Sequence, residues 1–247
     1  MNIESLLLYV IFVVFFATLI RSVFGFGESL IAVPLLALFI PIEIAVPLSV
    51  LVSITIAGVI VVQDWKKIHI KSAGWLILFT LLGIPLGLLL LRLGNEQIVK
   101  GGLSVIIIAF SIYSLWGKSP LILKTDNKRW LFICGFFAGV FGGAYGLNGP
   151  PLVLYGSMRR WSAQHFRATL QGYFLPASIL GMFGYWLNGL WVPAVTHYYL
   201  WCLPIMLPAI LLGRLINSRM QGNHFFRYVY FALIVIGVVL LAQSIKH

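Results

Sequence analysis

Along this 247-residue chain the apolar positions run in blocks rather than alternating. Six blocks, near residues 42–63, 72–93, 98–116, 165–187, 195–216 and 225–245, supply the ~20 apolar residues that a helix needs to cross about 30 Å of hydrocarbon. Two further apolar regions are broken. Residues 3–40 are interrupted by Gly25-Phe26-Gly27-Glu28, and residues 130–158 by the run from Gly142 through Pro151. Glycine and proline at that density end helices. In the second region each arm spans about 12 residues, which reaches only about 18 Å. The pattern therefore predicts a re-entrant hairpin whose irregular tip lies near the bilayer midplane, where unpaired backbone must be buried or line a cavity. Residues 3–23 are long enough to cross alone, so the first region reads either as a second hairpin or as two crossings. The N-terminal stretch lacks a basic flank and a small-residue cleavage pattern, and reads as a retained membrane segment.

Sliding the chain on itself by 117 positions brings Phe24-Gly25 onto Phe141-Gly142, Leu30 onto Leu147 and Pro34 onto Pro151. An offset of 123 then brings Ala45 onto Ala168, Gly58 onto Gly181 and Pro85 onto Pro208. The chain reads as a duplication, with repeats at 1–117 and 130–247 joined by a cytoplasmic linker at 118–129. Each repeat is a broken hairpin followed by three transmembrane helices. That unit makes an odd number of crossings, so the second copy enters from the opposite face. The expected fold is an all-α integral membrane protein of about eight transmembrane segments, built as an inverted repeat of the kind found in secondary transporters.

Composition excludes the soluble classes. The chain is 61% hydrophobic and 9% charged, against roughly a quarter charged in soluble domains. Its net charge of +11 reads as topology rather than as a nucleic-acid footprint. Following the segment parity, thirteen Lys and Arg fall on one side and only Arg92, Lys100 and Lys246 on the other. Cationic loops stay cytoplasmic, so both termini are expected outside a cytoplasmic membrane. The eight tryptophans fall near predicted helix ends as an interfacial belt. Cys134 and Cys202 make no disulfide framework. His69, His197, His224 and His247 have no metal-ligand spacing, and no cofactor is expected.

After each tip a short helix begins, around Glu28-Ser29 and around Asn148-Gly149. Free N–H groups and the helix dipole favour negative charge at such ends. Two ends converging from opposite faces would form a cavity for a small anion, with glycines 25, 27, 142, 143, 146 and 149 allowing close backbone approach. The alternative is that these glycines serve helix packing. Arg21 lies one turn before the first tip. At depth its guanidinium would grip an oxyanion with two hydrogen bonds; if the first helix crosses fully, it snorkels to headgroups. Glu28 either pairs with Arg21, titrates as a proton-coupling element, or simply caps its helix. In the polar stretch from His165 to Pro176, Gln171 is the deeper group and shares a face with Arg167, Leu170 and Phe174. Arg167 is either a cytoplasmic anchor or a guide for incoming anions. The candidate substrate-binding set is Arg21, Phe24, Gly25, Phe26, Gly27, Ser29, Gly142, Gly143, Tyr145, Asn148, Gly149 and Gln171.

The run Gly25-Phe26-Gly27-Glu28-Ser29-Leu30-Ile31-Ala32-Val33-Pro34, its counterpart from Phe141 to Pro151, and the following Phe166-Arg167-Ala168-Thr169 resemble the TauE/SafE family of membrane anion transporters. The resemblance extends through both repeats. It implies movement of a small sulfur-containing anion or organic acid, such as sulfite, sulfoacetate or a sulfonate, across the cytoplasmic membrane, with export favoured over uptake. No P-loop is present to use ATP, so a coupling proton or cation, or the membrane potential, is the expected driving force. The competing readings are an anion channel and an intramembrane enzyme. The latter lacks a serine–histidine pair at depth, a His-Glu-x-x-His run and paired midplane aspartates.

Overall fold

A computed structural model describes residues 3–64, 70–116, 122–161, 163–219 and 224–246. The described residues form ten helices in two sets of five. The first set is α1 (Ile3–Phe24), α2 (Glu28–Leu36), α3 (Ile42–Asp64), α4 (Ile70–Leu93) and α5 (Glu96–Trp116). The second is α6 (Lys128–Tyr145), α7 (Gly149–Met158), α8 (Ala163–Leu187), α9 (Pro193–Arg219) and α10 (His224–Lys246). There is no strand among the described residues. Among the described residues, five helices, α1, α3, α4, α5 and α9, contain a window long and apolar enough to span a membrane. This is a multi-pass membrane protein, and its large apolar side chains point outward as well as inward. On α4, Leu78, Leu82, Leu86, Leu89 and Leu93 form an exposed stripe at the three- and four-residue spacing of one helical face.

The six uninterrupted blocks fall where the apolar pattern predicts, within two or three residues at each end. The second broken region differs from the expectation of two arms of about 12 residues, whereas the long first arm of the first region falls where the apolar run at 3–23 places it. α1 has 22 residues and α6 has 18, whereas α2 has 9 and α7 has 10. At 1.5 Å per residue the short helices reach only about 14 and 15 Å and cannot cross. α6 runs on through Gly142 and Gly143 because its glycines are engaged in packing. Gly139 and Gly143 of α6 stack on Gly83 and Gly87 of α4, backbone against backbone, where any Cβ would meet the opposing main chain, and Gly135 lies against Leu76 and Phe79 one turn earlier. The chain breaks only at Gly146, with φ of 66°, and in the first region at Gly25 and Gly27, with φ of 87° and 102°. These left-handed positions suit glycine.

Both short helices fold back along the long helix before them. Tyr9 on α1 donates to the Leu35 carbonyl at the end of α2 (2.8 Å) and its ring meets Phe39. At the second hairpin, Asp126 just before α6 accepts from Tyr155 of α7 (2.8 Å) and pairs with Arg159 (3.1 Å). Residues 3–40 thus form a helical hairpin of unequal arms, and α2 is too short to be a second crossing. α1 packs on α9 and α6 on α4; α3 packs on α8, and α5 on α10. α3 is the most enclosed of the five candidate spans, with 67% of its window buried, and so it stands at the centre beside α8.

Candidate functional site at the hairpin tips

The two tips meet. Gly27, Glu28, Ser29 and Leu30 from the first and Gly146, Leu147, Asn148 and Gly149 from the second line one small cavity, closed by Ser53 of α3 and by Phe174 and Ser178 of α8. Its volume is about 10 Å³, room for a single water. α2 and α7 both begin at this cavity, so their N-terminal dipole ends converge on it. The two ends differ in donors. The first intrahelical bond of α2 runs from Ile31 N–H to the Gly27 carbonyl (3.3 Å), which leaves Glu28, Ser29 and Leu30 N–H without helical acceptors. In α7 only Gly149 offers an N–H in the first turn, because Pro150 and Pro151 have none.

Behind the cavity lies Arg21, fully buried in α1; it does not snorkel. Its Nη1 pairs with Glu28 Oε1 and donates to Ser53 Oγ (2.6 Å). Nη2 donates to Gln171 Oε1 (2.9 Å), and the Phe174 ring covers the guanidinium at 4.7 Å. Among the described residues, Nε is buried without a partner. Gln171 in turn donates through Nε2 to the Gly25 carbonyl (2.7 Å), tying α8 to the break in the first hairpin. Ser29 donates to Glu28 (3.3 Å), Ser49 donates to Ser29 (3.1 Å), and Ser53 meets Ser178 at 3.2 Å. An ion pair at this depth is costly to form and costlier to break: losing one partner leaves a bare buried charge, worth roughly 3–5 kcal/mol.

A second polar chain supports the other tip. Asn148 Nδ2 reaches Tyr173 OH (3.5 Å), which meets Thr80 Oγ1 (2.6 Å), which donates to the Gly135 carbonyl (2.9 Å). Tyr185 OH donates to the Gly142 and Gly143 carbonyls (2.8 and 2.9 Å).

Of the candidate set, Gly27, Ser29, Asn148 and Gly149 line the shared cavity, while Arg21, Gly25 and Gln171 stand directly behind it. Phe24 and Phe26 instead border a separate small space with Tyr230 and Leu233 of α10, although the Phe26 ring also lies against Gly149 of the second tip. Gly142 and Gly143 are held as carbonyl acceptors and packing positions. The Tyr145 hydroxyl points at Gly102 of α5, away from the cavity. Arg167 belongs to the helical backbone of α8, and its side chain lies outside the described residues. Ser49, Ser53 and Ser178 are the additions that sequence reasoning missed; Phe174 appeared only as a face-mate of Gln171. The available signal was spacing: Ser49 and Ser53 are one turn apart, as are Phe174 and Ser178.

The sulfite exporter TauE/SafE family model matches residues 10–240. No curated protein and no solved structure matches the chain.

Proposed function

Since the chain belongs to the sulfite exporter TauE/SafE family of membrane transporters, we propose that it is a secondary transporter of a small anion, with sulfite, a sulfonate or a related organic acid as cargo. The anion is held between the two tips and moved by alternating access. One observation carries this reading: two half-length helices, one from each half of the chain, aim their N-terminal ends at a single hydroxyl-lined cavity. Backbone N–H groups around Glu28 to Leu30 and at Gly149, with Ser29, Ser53, Ser178 and Asn148, supply donors of the kind an oxyanion needs. Arg21 supplies the compensating charge, Glu28 is the coupling element, and Arg167 guides anions toward the cytoplasmic mouth.

The reading includes an inverted repeat of 1–117 and 130–247 about the linker 118–129, each repeat a hairpin that returns to its starting side followed by three crossings, about eight transmembrane segments in all. Exchanging the halves turns the α1–α9 contact into α6–α4 and the α4–α8 contact into α9–α3, while α3–α8 and α5–α10 each map onto themselves; all of these pairs pack. Residues Lys124, Lys128, Arg129, Arg159 and Arg160 gather at the open end of the second hairpin, which favours that end as cytoplasmic and the termini as outside.

Two measurements test the proposal. Purified protein should gain thermal stability with sulfite, thiosulfate or methanesulfonate, since a ligand stabilises the folded state in proportion to its occupancy of the site, and liposomes carrying it should pass the same anion. Arg21→Ala alone strands Glu28, so it is introduced beside Glu28→Gln. The double variant is expected to fold and to lose the stabilisation that Glu28→Gln alone retains. Equal stabilisation of both would remove Arg21 from the site.

A further inference from the structure

The charge pair at the tips is arranged in an order that constrains how an anion can enter. The cavity wall contains Glu28, Ser53 and Phe174, and each of these three touches Arg21, yet Arg21 itself is not part of the wall. An anion in the cavity would therefore meet a carboxylate first, with the cation behind it. Both Nη1 hydrogens are engaged by Glu28 and Ser53, and the Phe174 ring occupies a face of the guanidinium. Ser29 adds its hydroxyl to the same Glu28 oxygen. Glu28 thus has what a bound oxyanion would want here: a guanidinium edge, a serine hydroxyl and the start of α2.

We infer that the Glu28 carboxylate is a built-in stand-in for the substrate, that the cargo anion and ionised Glu28 compete for Arg21, and that each monoanion binds together with one proton on Glu28. The inference rests on the anion-site reading above and adds its stoichiometry. The balance is simple. Without cargo the site holds Arg21 positive and Glu28 negative, net zero. Adding a monoanion alone would leave a net negative charge at depth, which low-polarity surroundings penalise heavily. Taking one proton from the aqueous side onto a Glu28 oxygen restores neutrality and frees the guanidinium for the incoming anion.

Nothing else nearby can supply that compensation among the described side chains. α3 presents Ser49 and Ser53, with Glu43 only in its first turn. The second tip presents Asn148, and α8 presents Gln171 and Ser178. α10 presents Tyr230 to the neighbouring space. On α5, Glu96 and Lys100 pair with each other (2.9 Å).

The test measures proton uptake directly. Titrating full-length purified protein with methanesulfonate, whose charge is fixed, in buffers of different ionisation heat gives protons taken up per anion bound. Thiosulfate and sulfite serve as parallel probes. The wild type should take up about one proton per methanesulfonate, its affinity falling roughly tenfold per unit rise in pH. Glu28→Gln should bind with no uptake and no such pH dependence, and should be less stable than wild type until the anion is added. Binding by wild type with no uptake would overturn the competition while leaving the anion site standing. Uptake replaced by a requirement for sodium would overturn it as well. Binding of none of the three probes by wild type or Glu28→Gln would defeat the anion-site reading itself. If Glu28→Gln fails to fold, the wild-type uptake decides alone.

Discussion

At the scale of single residues, what distinguishes the tips is which polar atoms have somewhere to go. Tyr173 is fully buried and links Asn148 of the second tip to Thr80 of α4. Tyr173→Phe keeps the ring and removes the link. It should cost about 1–3 kcal/mol of stability, read by thermal unfolding, and weaken anion binding as Asn148 loses its support. Tyr145→Phe, whose hydroxyl faces Gly102, should leave anion binding near wild type. Reversal of the two effects would place the wrong tyrosine at the site. The contrast also explains what was readable beforehand. Arg21 and Glu28 stand out in the sequence because ionisable side chains inside apolar segments are scarce and costly. The serines do not, because a membrane serine often satisfies itself on its own helix, as Ser22 does on the Thr18 carbonyl and Ser104 on the Lys100 carbonyl. Ser49, Ser53 and Ser178 differ only in which neighbour they face, and that is set by packing between distant helices.

At the scale of elements, helix positions were legible because crossing a bilayer demands long apolar runs, and their ends carry polar punctuation. The internal breaks were legible in place but not in proportion. Gly142 and Gly143 resemble helix breakers in sequence, yet α6 continues through them, with the α4 backbone against Gly143 and the Asn148 side chain against Gly142. Glycine in a membrane helix can mean close approach or a turn, and only the partner decides. Two substitutions separate these meanings. Gly139→Ala pushes a methyl group into the Thr80 carbonyl and Gly83 of α4, forcing the helices apart; a loss of about 1–3 kcal/mol is expected. Gly181→Ala on α8 meets nothing within 4 Å and should be neutral or gain up to about 1 kcal/mol from helix propensity. Thermal unfolding of the two variants should therefore shift in opposite directions or, at the least, only for Gly139→Ala. Equal losses would mean that the α4–α6 glycine stack is not what holds those helices together.

At the scale of the whole molecule, the two halves match in connectivity but not in closure. In the first half, α2 packs on α10, and the space bordered by Ile20, Phe24, Leu30, Tyr230 and Leu233 is about 10 Å³. The corresponding place in the second half, between α7 and α5, is a groove of about 350 Å³ lined by apolar groups including Phe110, Phe137, Phe141 and Pro151. Under the proposed repeat, Ile20 and Phe24 correspond to Phe137 and Phe141, so the same contact is made in one half and open in the other. In an inverted repeat such a difference is what distinguishes one facing state from the opposite one: transport would close the α7–α5 groove as the α2–α10 contact opens. Ala109 lines the groove from α5, and Ala109→Trp would fill it without touching the tip cavity. If the groove must close in each cycle, the variant should bind the anion as wild type does in thermal-shift titration. Its liposome flux should fall by about tenfold or more, which corresponds to ~1.4 kcal/mol or more added to the barrier for exchange. Unchanged flux would mean that the groove stays open throughout the cycle and that the asymmetry between the halves is a fixed feature of the fold.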